Sequence, residues 1–475
     1  MMNSQSTNNF FNFAHKQNLT AIIKSDKSDK SVSYKELFER SIKIAVKLSE
    51  ENISKNDYVP LLIESYLSFI ETTIALWFLG AIPVPLNTKL LDDEIKLILN
   101  DYSFKSFITD KDFRYENLKN DLQVISQNEI QTNKAELTTF AIPELSEEAV
   151  VIFTSGSSGR PKGVVHTFSS LINNIKNGNR ILNHDQSDCW LASLPFYHIG
   201  GFQIICRSLF YGFAIVIPES QQTNHLADAI VKHKPTHLSL VSTQLKRIIN
   251  DGVIPDKSLK VSLIGGGFVD DELMFEADKL GWKPFRVYGS SETGSMVTAI
   301  SANEIVSKSQ SVGKCFSNVE IKISDDSEIL IKSNSLFKKY LDDQKETSSK
   351  LMNGFYHSGD LGFVDNDGYV FVEARRNDLI VSGGENINPI EVEKVLKQIS
   401  GIAEACVFAK QSKTWGQTVA AAIVINELSL DEKSIKDILK QKLAGYKIPK
   451  QFYFVDELPK TSLGKLERDK IKKMF

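Results

Sequence analysis

The chain has 475 residues, 42% of them hydrophobic and 24% charged, which supports a large core and excludes disordered, collagen-like and disulfide-scaffold proteins. Lys and Arg number 56 against 59 Asp and Glu, a net charge of -3, so no basic excess points to nucleic acid. At roughly 100–200 residues per domain the length predicts ~3 compact units. Cys189, Cys206, Cys315 and Cys406 are widely spaced with no CxxC, against a zinc site or disulfide framework and in keeping with a reducing compartment. The first residues carry no basic-then-apolar leader, so no signal peptide is expected. The most apolar stretch, 72–86, is shorter than the ~20 residues of a membrane span and is broken by Pro83 and Pro85. A cytoplasmic protein without a membrane span is expected.

In chain order, apolar spacing and a serine cap predict a helix over 33–51, a buried strand over 57–63, a helix over 65–80 ending at glycine, and a short strand over 82–85. A helix over 91–100 and a strand over 107–109 continue the alternation, which predicts a parallel sheet covered by helices. The middle of the chain repeats this alternation, with strands over 150–153, 190–194, 214–217, 238–241 and 261–264 and a helix over 169–179. From 312 to 372 short strands and turns take over, including the DNDG hairpin signal at 365–368. A small α/β unit follows, with helices over 391–398 and 435–443 and strands over 405–409 and 420–425. The expected boundary divides 1–376 from 377–475, a smaller unit.

The strongest local signal follows the strand at 150–153. Thr154, Ser155, Gly156, Ser157, Ser158 and Gly159 give hydroxyls and glycines, and Arg160, Pro161, Lys162 and Gly163 close the run. Glycines let backbone N–H groups approach a phosphate, and Lys162 offers it a point charge. The Walker spacing is absent. A Gly/Ser run alone would read as a surface loop; one launched from a buried strand and closed by Pro-Lys-Gly reads as a phosphate cradle.

This loop resembles that of the adenylate-forming superfamily of acyl-CoA synthetases, luciferases and peptide-synthetase adenylation domains. Four further segments resemble that family's motifs in its order. They are Tyr288-Gly289-Ser290-Ser291-Glu292-Thr293; Ser358-Gly359-Asp360; Arg375-Arg376-Asn377-Asp378 with Gly383-Gly384-Glu385; and Pro459-Lys460-Thr461-Ser462-Leu463-Gly464-Lys465. The resemblance implies that family's fold: an α/β N-terminal domain of stacked subdomains with a β-rich subdomain, and a small mobile α+β C-terminal domain. It implies two steps. A carboxylate attacks the α-phosphate of ATP, giving acyl-adenylate and pyrophosphate; the thiol of coenzyme A then displaces AMP. The implied partners are a small carboxylic acid, ATP, Mg²⁺ and coenzyme A, and the resemblance allows a homodimer.

It also implies roles. The 154–163 loop holds the departing phosphates, Thr154 among the catalytic groups. Glu292 helps hold Mg²⁺, a hard cation that takes oxygen ligands. Thr293 adds a phosphate contact, Tyr288 stacks on adenine, and Gly289 and Ser290 lie beside it. Asp360 binds the ribose hydroxyls and Arg375 supports it. The strand-end glycines Gly266 and Gly267 face adenine or the acyl group, where a plain turn explains them nearly as well. Lys465 meets the α-phosphate and the carboxylate, because two anions brought together need a cation. The C-terminal unit rotates between steps, so that Gly383, Gly384 and Glu385 shape the thiol tunnel. The family's hinge carries Asp or Lys; here it is Asn377, a residue tolerant of unusual backbone angles. Ala374 stands where the family has glycine.

The acid pocket is expected from 197–209, 238–241 and 265–291. Tyr197-His198 resembles the aromatic-His gate of acyl- and aryl-CoA synthetases, which puts His198 at the acid and in the catalytic set with Gly266 and Ser290 near the substrate. Arg207 lies in the otherwise apolar helix FQIICRSLFYG. A buried cation needs a partner, and a second carboxylate on the substrate would pair with it bidentately. Its other reading is an Arg turned to solvent or to a protein carboxylate. Together with SLVSTQL, LIGGG, Trp415-Gly416-Gln417 and SGGENINP, this segment is similar to the o-succinylbenzoate–CoA ligases of menaquinone biosynthesis. Ser242 for proline and the SSE triplet for MTE depart from that pattern. The alternatives are an aryl- or medium-chain fatty acyl-CoA synthetase, a peptide-synthetase adenylation domain, and a catalytically inactive adenylate-binding regulator.

Overall fold

A computed structural model describes residues 10–25, 30–111, 122–130, 142–154, 161–267, 269–375, 380–382, 385–412, 416–426, 430–443, 445–461 and 464–475. The chain forms two compact units, Met1–Ile321 with Ile331–Tyr356, and Lys322–Leu330 with His357–Phe475. The expected boundary at 376/377 falls outside the described residues. Among the described residues no helix is long and apolar enough to cross a membrane.

The first unit opens as its sequence dictates. Ser33 caps the helix Tyr34–Glu50 in a capping box with Glu36, and the helix buries Leu37, Ile44, Ala45 and Leu48. Ser65 caps Tyr66–Leu79, which stops at Gly80 in the left-handed region, φ 70°. That helix is buried almost all round, and Trp77 Nε1 donates to the Ala149 carbonyl at 2.7 Å. A four-stranded parallel sheet runs in the order Ile82–Pro85, Tyr58–Leu62, Ser106–Thr109, Gln123–Ser126.

The larger sheet of this unit has a parallel centre: Ala214–Ile217, Cys189–Leu191, His237–Leu240, Val261–Ile264 and Pro284–Ser290. Four of these strands are buried throughout or nearly so, as expected of strands covered on both faces. Antiparallel Ser295–Ser301 and Gly313–Cys315 follow beside Pro284–Ser290. The open end of a parallel sheet, beyond the carboxyl ends of its strands, is where α/β proteins bind ligands. Gly265–Gly267 and Ser290–Thr293 lie there. A third, antiparallel sheet carries the Gly/Ser loop: Glu148–Thr154 pairs with Lys162–Thr167, which pairs with Lys339–Tyr340.

The second unit contains the hairpin in which 360–364 pairs with 370–375, turned by the Asp365–Gly368 segment. A further sheet orders Glu385–Ile387, Ile380–Ser382, Gly416–Ile425 and Ile402–Ser412, with Gln451–Phe454 parallel to Gly416–Ile425. The helices Pro389–Lys397 and Glu432–Lys442 supply Val392, Leu396, Ile435 and Leu439 to its core.

Candidate active site

The Gly/Ser loop leaves and re-enters one antiparallel ladder, because Thr154 pairs in register with Lys162. Ser155, Gly156, Ser157, Ser158 and Gly159 lie outside the described residues. The exit strand is tightly packed: a Cβ on Gly163 would stand 2.9 Å from Val151 and 3.1 Å from Leu341. Beside it Lys339–Tyr340 pairs with Val165 and Val164 and leads into the helix Gln344–Lys350, capped by Asp343. This brings Glu346 to Lys162, at 2.5 Å from its Nζ. Lys162 Nζ also lies 5.6 Å from the centre of the Tyr340 ring, and the Tyr340 hydroxyl donates to Glu292 Oε1 at 2.9 Å. Residues separated by up to 184 positions thus form one network: Glu346, Lys162, Tyr340, Glu292.

The segment 288–293 is a tight corner. A bulge falls between Tyr288 and Gly289, and a Cβ on Gly289 would stand 2.0 Å from the Ser295 carbonyl oxygen, so only glycine fits. Glu292 is 9% exposed, and its carbonyl accepts from Phe337 N–H at 2.8 Å. Thr293 is fully buried: its hydroxyl accepts from Ser290 N–H at 2.8 Å and donates to the Ser295 carbonyl at 2.6 Å. The structure therefore gives Thr293 a corner-forming bond. Ser290 Oγ is buried and has no hydrogen-bond partner among the described residues.

Three groups that the sequence did not single out pin this corner. His166 Nε2 bonds the Ser291 carbonyl at 2.7 Å and Nδ1 meets Ser170 Oγ at 3.0 Å. Burial pushes its pKa down to about 4, so the imidazole is neutral and its Nε2–H donates to the carbonyl. Asn174 Nδ2 donates to the carbonyls of Thr293, at 3.2 Å, and Met296, at 3.0 Å. Gln203 Nε2 donates to Gly294 O at 2.9 Å. A mid-helix Asn and Gln on an apolar face are the only sequence hint of this role.

His198 stands at the N-cap of Ile199–Tyr211, its ring 4.7 Å from that of Tyr197. Burial first, and Lys89 second, push its pKa down to about 4. Gly266 has φ 80°, the left-handed region that favours glycine, and Gly267 is exposed with open space around its Cα. Arg207 is on the same helix as His198 but only 1% exposed. Its guanidinium carbon lies 5.2 Å from the Trp190 ring centre and Nη2 is 3.4 Å from Asn174 Oδ1. It does not turn to solvent, no carboxylate among the described residues pairs with it, and Nε has no partner there. Burial lowers its pKa to about 10.

His184, Asp188 and His237 place three ligand atoms within 4.8 Å of one another. Lys260 Nζ already lies 2.7 Å from Asp188, and both Lys260 and Arg207 act electrostatically on His184. The carboxylate of this cluster is thus already paired with a lysine ammonium.

In the second unit Asp360 and Arg375 are register partners across the hairpin. The turn before Asp360 is fixed by Glu328, which accepts from Gly359 N–H at 2.8 Å, and Asp360 N–H donates to Ser358 Oγ at 3.0 Å. Lys465 is exposed on a small loop closed by Thr461 N–H to Lys465 O at 2.7 Å and Gly464 N–H to Thr461 O at 2.8 Å. Asn377, Gly383 and Gly384 lie outside the described residues, as does Trp415; the side chains of Arg375 and Glu385 are likewise not described.

The AMP-binding enzyme family matches residues 10–341, and its C-terminal domain matches 391–465. The 2-succinylbenzoate–CoA ligase of Bacillus subtilis is 32% identical over 454 residues, covering 94% of this chain and 93% of that protein. The ligase of the same name from Listeria innocua is 33% identical, over 93% and 94%. The structure of o-succinylbenzoate CoA synthetase from Bacillus subtilis in complex with the acyl-adenylate intermediate superposes with a TM-score of 0.91 at 31% identity, over 98% of each chain. The same enzyme with ATP and a magnesium ion gives 0.90 at 31%, over 98% of this chain and 99% of that one.

Proposed function

The chain belongs to the AMP-binding enzyme family, and we propose on that premise that it is an AMP-forming acid–thiol ligase joining o-succinylbenzoate to coenzyme A through an acyl-adenylate. One observation carries the acid: end-to-end likeness, at a TM-score of 0.91 and 31% identity, to a synthetase holding that acyl-adenylate. The network of Lys162, Tyr340 and Glu292 supports the ATP half of the reading.

In this reading Thr154, Ser155, Gly156, Ser157, Ser158, Gly159 and Lys162 hold the departing phosphates. Glu292 suits Mg²⁺: it presents a hard carboxylate, one oxygen held by Tyr340 and the other available to a cation. Bound there, the ion would offset negative charge on the phosphates. Tyr288, Gly289 and Gly267 frame adenine. Ser290, whose hydroxyl has no partner among the described residues, faces the adenylate or the acid alongside Gly266. His198, neutral at pH 7, orients the carboxylate without adding a charge that would blunt its nucleophilicity. Asp360 and Arg375 serve the ribose, and their register across one hairpin supports a shared task. Lys465 brings the cation that lets carboxylate and α-phosphate meet. Asn377 is the proposed hinge, and Gly383–Glu385 the proposed thiol-side loop. Arg207 is the proposed counter-ion for the second carboxylate, supported by its burial without a carboxylate partner among the described residues.

A cytoplasmic location belongs to the same reading, supported by ATP and coenzyme A as cosubstrates and by four free cysteine thiols. A homodimer is proposed on the family resemblance alone. The test is direct. Purified protein with ATP, Mg²⁺ and coenzyme A is offered o-succinylbenzoate beside benzoates, cinnamates and medium- to long-chain fatty acids, and the thioesters are read by mass spectrometry. A dominant o-succinylbenzoyl-CoA product is expected. Another dominant thioester keeps the chemistry and overturns the acid.

A further inference from the structure

We propose that Glu346 is a counter-charge for Lys162, holding the lysine ammonium while the phosphate cradle is empty and taking it back as pyrophosphate leaves. This rests on the reading above that Lys162 is a phosphate-binding cation. Three observations carry it. The Lys162 Nζ to Glu346 Oε1 distance is 2.5 Å, and among the described residues no other carboxylate pairs with this lysine. Both side chains are partly exposed, at 21% and 26%, so an incoming polyanion can reach the pair. Finally, Glu346 is positioned by groups other than its own carboxylate. Its N–H donates to the Asp343 cap at 2.9 Å, and Thr347 Oγ1 accepts from Tyr340 N–H at 2.9 Å, locking the helix to the strand beside the loop.

The physical consequence has a definite sign. A bound phosphate chain must displace or share the ammonium, and Glu346 sits as a like charge beside it. The carboxylate therefore weakens the hold on ATP phosphates and on free pyrophosphate together, and favours release of the product. Glu346 acts through Lys162; it is a positioning residue and does not touch the reacting atoms.

The experiment uses the full chain with inorganic pyrophosphate and Mg²⁺ as the probe, its binding measured by isothermal titration calorimetry, beside KM for ATP, acid and coenzyme A. Glu346→Gln removes the charge and leaves the helix cap intact. It is expected to bind pyrophosphate roughly two- to fivefold more tightly, the scale of a partly exposed ion pair. KM for ATP falls in step, KM for acid and coenzyme A stay, and Tm is held. Glu346→Asp, which keeps the charge, restores wild-type values. Equal pyrophosphate affinity in wild type and Glu346→Gln overturns the proposal, as does weaker binding, which would make Glu346 a guide that presents Lys162 to phosphate. Because pyrophosphate binding is measured without any acid, failure of the wild type to form a thioester would strike the proposed function and leave the test of Glu346 intact.

Discussion

Tyr340 donates its hydroxyl to Glu292 at 2.9 Å while its ring flanks Lys162 Nζ at 5.6 Å. One buried side chain therefore orders the anionic and the cationic member of the proposed ATP site. Burial and the neighbouring Glu292 push the phenol well above the ordinary tyrosine range, so it stays a proton donor at any working pH. Tyr340→Phe removes one hydrogen bond to a charged group, worth about 1.5–3 kcal/mol. The expected result is a fall of about tenfold or more in kcat/KM for ATP and a higher Mg²⁺ requirement, with KM for the acid unmoved. Initial rates of pyrophosphate release over a grid of ATP and Mg²⁺ concentrations measure this. A normal Mg²⁺ requirement would detach Tyr340 from the metal side of the site.

Lys465 separates the two half-reactions. It is exposed on a loop whose backbone is closed by Thr461, so Lys465→Ala leaves both backbone hydrogen bonds of that loop in place. Acid-dependent pyrophosphate release should drop by about a hundred- to a thousandfold, as when a group that stabilises transition-state charge is lost. Thiolysis of supplied acyl-adenylate by coenzyme A should continue near the wild-type rate. Equal loss in both steps would contradict a lysine reserved for adenylation.

Arg207 offers a sharper choice. As an acid anchor it should matter to dicarboxylates alone; as a strut under Trp190 and against Asn174 it should matter to every acid and to folding. Arg207→Lys keeps a cation but loses the planar fork. The expected outcome is a KM for o-succinylbenzoate raised at least tenfold more than that for benzoate, with Tm within a few degrees of wild type. A uniform rise, or a large fall in Tm with an unchanged ratio, would assign the arginine to the core.

What was legible in the sequence was what depends on near neighbours. The cap at Ser33, the glycine stop at Gly80 and the Asp365–Gly368 turn follow from local chemistry, and each element stands within a residue or two of its expected place. The strand Lys162–Thr167 is not legible in the sequence, because the Gly/Ser loop before it hides the strand pattern. Thr293 shows the limit for single residues: its motif suggests a phosphate contact but does not announce that its hydroxyl also closes the corner. Glu346, Tyr340 and His166 carry no local mark, and Asn174 carries only that of a polar residue on an apolar helix face. Their meaning comes from distant partners, which only the folded sheet brings near.

Histidines held neutral in the folded chain predict a loss of stability on the acid side. His184 has no hydrogen-bond partner at either ring nitrogen among the described residues and packs among Trp190, Tyr211 and Phe213, and burial pushes its pKa to about 2. His166 and His198 are held near 4, also by burial. In the unfolded chain each titrates near 6.5. The folded-state values are depressed, so the unfolded state binds more protons below that pH. Stability is therefore full above about pH 6.5 and is lost as pH falls toward the folded-state values, by about 1.4 kcal/mol per pH unit for each histidine. Urea denaturation at pH 7.5, 6.0 and 5.0 should show this steep loss. His184→Phe keeps an aromatic ring in an aromatic nest and cannot protonate. Its stability should fall less steeply, by about 1.4 kcal/mol per pH unit below pH 6. A slope identical to wild type would mean that the Asp188 carboxylate, 4.0 Å from His184 Nδ1, compensates the protonated ring, and that the acid sensitivity lies with His166 and His198.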